Sequence, residues 1–430
     1  NDGLTMYYYV VLEYPNLDES QNIDIGGSFT GEVTVELSDT EPDINIIAAY
    51  IKQEDGSYKQ VEDIPQSGYV LNTEKSTCSN GANPSWTNGG LFVSNLTKSG
   101  TSCYLYFDRS AADVILANST RGSGTPNFAN TSCSNGTNNG SNCDEATVGL
   151  YEGEENGETI YYFRGDVDDN WVSFAGFYWR IIRTNSDGSI RMIYAGTDPN
   201  TTTGESTQVE AYLFNASHNA SYYVGLKYSN NQHGITTNSN IMDALNGWYS
   251  NNLANYADKL TSGTGFCNDR VSYSNTNGTI PLWSATESTL YYAAYVRLVT
   301  NAMPTLDCDI ESDNFTTIES NIGNKALQYP IGLITADEAS LAGAAYNKAN
   351  YSYYLYTNRD YLTMTPSYFQ SGTANNGNAI VFYVGASGPL GNSLVYTVGN
   401  GVRPVINLRA DVTLSGSGTS SDPYVVSLTN

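Results

Sequence analysis

Four carboxylates at alternate positions, Asp307, Asp309, Glu311 and Asp313 in "DCDIESDN", are the first residues in this chain whose type and spacing could do chemistry. Oxygen ligands so spaced can wrap a hard cation such as Ca2+. The stretch lacks the central glycine and the distal bidentate glutamate of an EF-hand loop, so a solvated acidic loop is expected there, with no metal and no cofactor assigned. "GDVDDNW" supplies a second acidic cluster, Asp166, Asp168 and Asp169, with the same expectation. Many carboxylate pairs could serve as acid and base, none is singled out, and no catalytic residue is named.

The remaining reactive types are cysteine, histidine and arginine. Six cysteines fall into neighbouring pairs, Cys78 with Cys103, Cys133 with Cys143 and Cys267 with Cys308. Six allow 15 connectivities, so this pairing is a hypothesis from proximity and layout; a zinc site is the alternative, but no C-x-x-C spacing occurs. His218 and His233 sit in the polar stretches "NASHNAS" and "NNQHG" and are expected in solvent-facing loops, which makes a triad or a His-rich metal site a poor fit. "FAGFYWRIIRTNSDGSIRMIYAG" (174–196) alternates arginines with apolar residues around a turn. Phe177, Trp179 and Ile181 fall on one strand face and Tyr178, Arg180 and Ile182 on the other. Asn185-Ser186-Asp187-Gly188 supplies turn chemistry, so a β-hairpin is expected. Arg180, Arg183 and Arg191 are expected to brace it beside rings and carboxylates, contacts worth roughly 0.5–2 kcal/mol.

The elements that must hold these residues follow from periodicity. Residues 1–110 read as short strands between turn clusters, an immunoglobulin-like β-sandwich module. Residues 111–147 are rich in Asn, Gly, Ser and Thr and are expected to be a linker with a small disulfide loop. From 148 to 430 the pattern is mixed α and β. A helix is expected over 239–260, with Ile241, Leu245, Trp248, Tyr249, Tyr256 and Leu260 on one face and Ser239 or Asn240 as its cap. A second begins at "TADEASLAGAAY", where Thr335 and Glu338 form a capping box.

Composition narrows the partners. The 430 residues carry 19 basic against 44 acidic side chains, a formal charge of -25, which repels nucleic acid and anionic membrane surfaces. The longest apolar run, "TMYYYVVLEY", is broken by a glutamate and too short to span a bilayer. Asn1 reads as the start of a processed chain, and no sorting signal is evident near the other end. An even cysteine count with eleven N-x-S/T sequons suits an extracellular protein. The 35 tyrosines favour sheet surfaces and protein contacts over a dry interior.

Three groups of residues carry a resemblance. "GYVLNTEKSTCSNGANPSW" with "VSNLTKSGTSCYLYFD" resembles a β module of secreted and surface proteins from low-GC Gram-positive bacteria. "YYFRGDVDDNWVSFAGFYWRIIRTNSDGSIRMIY", "FCNDR" and "YPIGLITADEASLAG" are similar to the domain that follows it there. "LTMTPSYF", "AIVFYV" and "GVRPVINL" resemble the closing strands of C-type-lectin-like folds, in the branch that includes formylglycine-generating enzymes. The resemblance implies a cell-surface location and a mainly β fold with α+β character, a sandwich followed by a lectin-like domain. It does not carry over a site. The lectin calcium tripeptide occurs only as "EPD" at 41–43, no "WND" follows, and Cys267 and Cys308 are expected to be committed to each other.

The expectation drawn from all this is a non-enzymatic, extracellular structural protein, the repeating subunit of a filament whose partners are copies of itself. Tyr7, Tyr8, Tyr9, Val10, Val11 and Leu12 form a strand that wants cover on both faces and could complete the sheet of a neighbouring subunit. Pairing of that strand within its own domain is the rival. The alternative function is a monomeric adhesin binding surface glycans or host proteins through the lectin-like domain.

Overall fold

The computed structural model describes residues 46–427 apart from 54–55, 66–67, 88–89, 96–99, 133–142, 230–231, 274–288, 309, 321–322 and 373–376. The protein is mainly β. Tyr7 to Leu12, Asp309 and Cys133 lie outside the described residues.

A small sheet comes first. Its strands run in the order Tyr58–Val61, Ile46–Lys52, Ser102–Arg109, Tyr69–Leu71, with Thr77–Cys78 also paired to Ser102–Arg109. Ile46–Lys52 and Ser102–Arg109 are parallel, Ile46 opposite Ser102 and Ile51 opposite Phe107. Alternation puts Ala49, Leu105 and Phe107 on a common inner side, where they join Leu71 and Cys103 as the module's buried core. The hairpin Asn83–Thr87/Gly90–Ser94 adds Leu91 and Val93 to its margin.

The span 111–147, expected as a linker, carries structure at both ends. Ala111–Asn118 is a helix capped by Ser110, whose side chain accepts from Asp113 N. Its Ala111 and Ile115 are buried in the large core of the second half of the chain. At the other end Asp144 is buried against Arg164, 2.8 Å away. Small polar composition concealed both anchors, because one apolar helical stripe and one paired carboxylate are enough to hold a polar segment.

The body is built on two larger sheets. In the first the order is Val405–Leu408, Ile190–Gly196, Phe177–Thr184, Trp171–Phe174, Tyr424–Val426, Leu414–Ser415, with the hairpin Gly149–Glu155/Glu158–Arg164 attached through Arg183 opposite Tyr162. The expected hairpin is present: Ile181 lies opposite Met192, and Gly188 takes a positive φ of 78° to close the turn. A register shift between Ile181 and Arg183 departs from simple alternation, and residues 179–184 are buried on both faces of the strand. The second sheet runs Glu210–Tyr212, Asn400–Val402, Tyr361–Gln370, Asn378–Val384, Leu390–Leu394, with Thr289–Tyr291 paired to Tyr361–Gln370.

Both expected helices form. Asn240–Asn252 is capped by Ser239, whose hydroxyl accepts from Met242 N, and buries Ile241, Leu245 and Tyr249. It ends eight residues earlier than the periodicity suggested, passing at Leu253 into a 3-10 turn, Ala254–Lys259. Gly247 and the run Ser250-Asn251-Asn252 are poor helix formers, which accounts for the early stop. Ala336–Ala342 carries the complete Thr335/Glu338 capping box.

Candidate functional site

Two places bring together the residues singled out by type. The first is a cavity of about 80 Å3 in the body, lined among others by Glu155, Arg183, Arg191, Asp269, Arg297, Asp307, Asp337, Glu338 and the Cys267–Cys308 disulfide. Glu338 is its hub. One carboxylate oxygen accepts from Thr335 N at 3.0 Å, closing the capping box. The other accepts from Arg183 Nε at 3.0 Å and lies 2.5 Å from Arg191 Nε, an ion pair out of line for a hydrogen bond. Arg183 also reaches Glu155 at 2.9 Å. Burial works against the charged form of Glu155, but Arg183 outweighs it and holds the carboxyl below its ordinary range.

Arg297 forms a parallel clamp. It binds Asp337 at 2.7 and 2.8 Å and Asp269 at 2.7 Å. Burial pushes the Asp269 carboxyl up to about 6, with Arg297 opposing. Asp269 also holds a left-handed backbone, φ 41°, a conformation that Asp tolerates better than most residues. Every guanidinium lining the cavity is ion-paired, so none is left to capture an external anion. The hairpin arginines therefore serve as scaffold. Arg180 does so as well, donating to Asn170 Oδ1 and Val167 O at 2.5 Å each and lying 4.2 Å from the Trp171 ring.

The acidic stretch at 307–313 is only partly the solvated loop expected. Glu311 is exposed, and Asp307 accepts from Asn156 N at 2.6 Å on the cavity rim. Asp313 is a correction: it is buried, 2.6 Å from Arg270 Nε, and accepts from Arg270 N at 2.6 Å. Spacing alone gave no sign of a partner 43 residues away. In the second cluster Asp168 accepts from Trp171 Nε1 and Asp169 from Thr120 N, while Asp166 is exposed. Among the described residues no group of three or more His, Cys, Asp and Glu is placed to hold a metal ion.

Neither histidine is simply a loop residue facing water. His218 Nδ1 is 3.0 Å from Gly377 O and its ring packs on Tyr396. His233 lies beside Tyr292, and burial with the help of Arg270 holds it well below the usual imidazole value. Cys78–Cys103 and Cys267–Cys308 are bonded, as proximity suggested, and Cys143 is disulfide-bonded too. Two of the sequon asparagines, Asn215 and Asn350, are buried and hydrogen-bonded, so the folded protein offers no room for a glycan on them.

The second place is the edge of the small sheet. Its outer face is fastened by Tyr50 stacked on Tyr106 at 4.9 Å and Tyr58 edge-on at 5.0 Å. Asp108 gathers Tyr58 Oη at 2.5 Å, Asn72 Nδ2 at 3.0 Å and, more distantly, Lys52 Nζ at 3.7 Å. Tyr58–Val61 pairs with Ala49–Lys52 only. On that side no described strand pairs with Ile46, Ile47 or Ala48, and Ile46 and Ile47 are 51% and 41% exposed. An unpaired strand end carrying two exposed isoleucines is a place where another extended segment can add.

No family model, curated protein or solved structure matches this chain.

Proposed function

We propose that the protein is a secreted, non-enzymatic surface protein of the low-GC Gram-positive type, an immunoglobulin-like module followed by a C-type-lectin-like body, and the repeating subunit of an extracellular filament. The strand Tyr7–Leu12 of one copy adds beside Ile46–Ala48 of the next. The observation that carries this reading is the half-paired strand Ile46–Lys52 with its two exposed isoleucines. Main-chain hydrogen bonds supply affinity in such an addition, and alternate side chains set the register. Two disulfides among the described residues suit an oxidising compartment, and no described helix is long and apolar enough to cross a membrane.

Deleting residues 1–14 tests the proposal. The truncated protein is expected to fold as a monomer that does not polymerise, and a synthetic peptide of residues 1–14 is expected to occupy the open edge. Filaments from the truncated protein, or an intact protein that stays monomeric at every concentration under negative-stain microscopy, would overturn it. In the second case Tyr7–Leu12 pairs within its own module and the adhesin function moves ahead.

A further inference from the structure

Three buried side-chain oxygens that make no hydrogen bond gather where the helix Ala111–Asn118 ends: Ser119 Oγ, Asp169 Oδ1 and Tyr424 Oη. Ser119 is the C-cap of that helix, Asp169 belongs to the acidic loop before Trp171–Phe174, and Tyr424 opens the strand Tyr424–Val426. Tyr424 is 0% exposed and Ser119 9%. Thr120 N donates to the other Asp169 oxygen at 2.7 Å, which brings Ser119 beside that carboxylate. Gly418 has a positive φ of 82°, and a Cβ there would lie 2.3 Å from Tyr424 Cε2 and 2.7 Å from Asp169 O. The phenol end of Tyr424 and Asp169 therefore close on the same glycine. Burial pushes the Tyr424 phenol up to about 12, with Asn118 and Ser119 opposing and Asp169 adding to the rise. These neighbours are near enough to act on the phenol, yet its oxygen makes no hydrogen bond.

We propose that this spot binds one alkali-metal cation, with Asp169 Oδ1, Ser119 Oγ and Tyr424 Oη among its ligands. A buried carboxylate oxygen is costly unless a donor or a positive charge meets it. Asp169 takes part in none of the ion pairs among the described residues. Its neighbour Asp168 turns to other partners, Trp171 Nε1 and Ser420 Oγ. A helix C-terminus carries the negative end of the helix dipole, which adds to the attraction for a cation. One carboxylate among neutral hydroxyls balances a single positive charge, whereas Ca2+ sites draw on several carboxylates. A water molecule would satisfy the hydroxyls and leave the carboxylate's charge uncompensated. The chain's charge of -25 also concentrates cations around it. Only Ser110 separates Ala111–Asn118 from the strand Ser102–Arg109 of the small sheet. A cation here thus fastens the joint between module and body to the acidic loop and to the closing strand. The site is distinct from the sheet edge assigned to polymerisation and does not depend on it.

The test is thermal unfolding of the full-length protein, dialysed into choline chloride and then compared in sodium, potassium and choline chloride at one ionic strength. Equal ionic strength removes the general screening that any salt gives so charged a chain. Sodium or potassium is expected to raise the melting temperature by about 2–5 °C over choline, with a saturable dependence on concentration. Asp169→Asn keeps an acceptor for Thr120 N but loses the charge, and the shift is expected to vanish. Tyr424→Phe, which removes one oxygen ligand, is expected to need roughly tenfold more cation for the same shift. Asp166→Asn alters an exposed acid of the same loop and serves as the control, expected to keep the parent's shift. Broadening of the sodium NMR signal by the parent and its loss in Asp169→Asn report binding directly. If Asp169→Asn does not fold, Tyr424→Phe decides. Equal melting temperatures in the three salts would overturn the inference and leave a bound water at the spot. A shift that survives Asp169→Asn, one lost equally in Asp166→Asn, an unchanged cation requirement in Tyr424→Phe, or a larger effect from millimolar Ca2+ at the same ionic strength would overturn it too.

Discussion

The small sheet and the body solve the same problem with different means. Among the described residues the module's core is one small cluster, Ala49, Leu71, Cys103, Leu105 and Phe107, whereas the body's core runs through both of its sheets and includes Trp179, Phe266, Leu362 and Phe382. A core as small as the module's is marginal by itself, and a cross-link or other staple compensates. Here the staple is Cys78–Cys103, which joins two directly paired strands. The body instead has enough apolar burial to hold fully desolvated ions, Arg164 on Asp144, Arg183 and Arg191 on Glu338, Arg270 on Asp313. Such pairs contribute little net stability against an apolar substitute, yet removing one partner is costly because a charge is left buried alone. The two regions should therefore fail in different ways.

The largest effect is expected at Glu338. Glu338→Ala strips a carboxylate from Arg183 and Arg191 and opens the capping box of Ala336–Ala342, and it is expected to cost about 3–5 kcal/mol in the body's unfolding transition. Arg183 keeps Glu155, so Arg191 suffers most. The module's transition, followed through reactivity of Cys78 and Cys103 to reductant and alkylating agent, should be unmoved. If both regions weaken together, they form one cooperative unit and the contrast drawn above fails.

Next in size is the module's staple. Replacing Cys78 and Cys103 by Ser together should cost about 3 kcal/mol by the chain-entropy account, for a sequence separation of 25. With so small a core, that loss is expected to unfold the module while the body's near-ultraviolet circular dichroism stays. Removing Cys267–Cys308 spans a longer loop, 41 residues apart, yet the body should remain folded, since its core does not rely on that link. A module that keeps its melting temperature without Cys78 and Cys103 would show that the apolar side suffices.

What could be read from the chain and what could not divides along the same line. Local signals worked: Ser239 and Thr335 cap the helices they precede, the Asn185–Gly188 turn closes its hairpin, and cysteines close in sequence pair. Each is set by residues within a few positions or within one short loop. The parallel pairing of Ile46–Lys52 with Ser102–Arg109 was not legible, because it joins segments more than 50 residues apart that share only strand-like alternation. The buried ion pairs were hidden for a related reason. Glu338 announced itself as a capping residue, and nothing near it in sequence named Arg183 or Arg191. Asp313 looked like one more solvated acid because its partner, Arg270, lies 43 positions away.

The smallest effect expected is a pair of opposed pH responses inside the body, one at Asp269 and one at His233, whose imidazole feels Arg270. Asp269 has a folded pKa of about 6 against an ordinary 3.8, raised by burial despite Arg297 and helped by Asp337 and Asp313 nearby. Between those values the folded state holds a proton that the unfolded chain has released, so its contribution to stability is complete below 3.8 and is lost as pH rises through 6. His233 runs the other way. Burial and Arg270 depress it below 6.5, so its contribution is present above 6.5 and declines as pH falls, when the unfolded imidazole takes up a proton that the folded one refuses. From pH 7 to 5 the two partly cancel, and Glu155, held below its ordinary carboxylate range, does not titrate in that window. Single substitutions pull them apart. Asp269→Asn keeps a residue that tolerates the left-handed backbone and removes the gain on acidification, so its melting temperature should fall more steeply from pH 7 to 5 than the parent's. His233→Phe removes the loss, and its melting temperature should rise over the same interval. Parallel profiles for parent and both variants would mean that the body's ionisable groups are pinned by their pairs throughout this range, and that the difference between the two regions is one of core size alone.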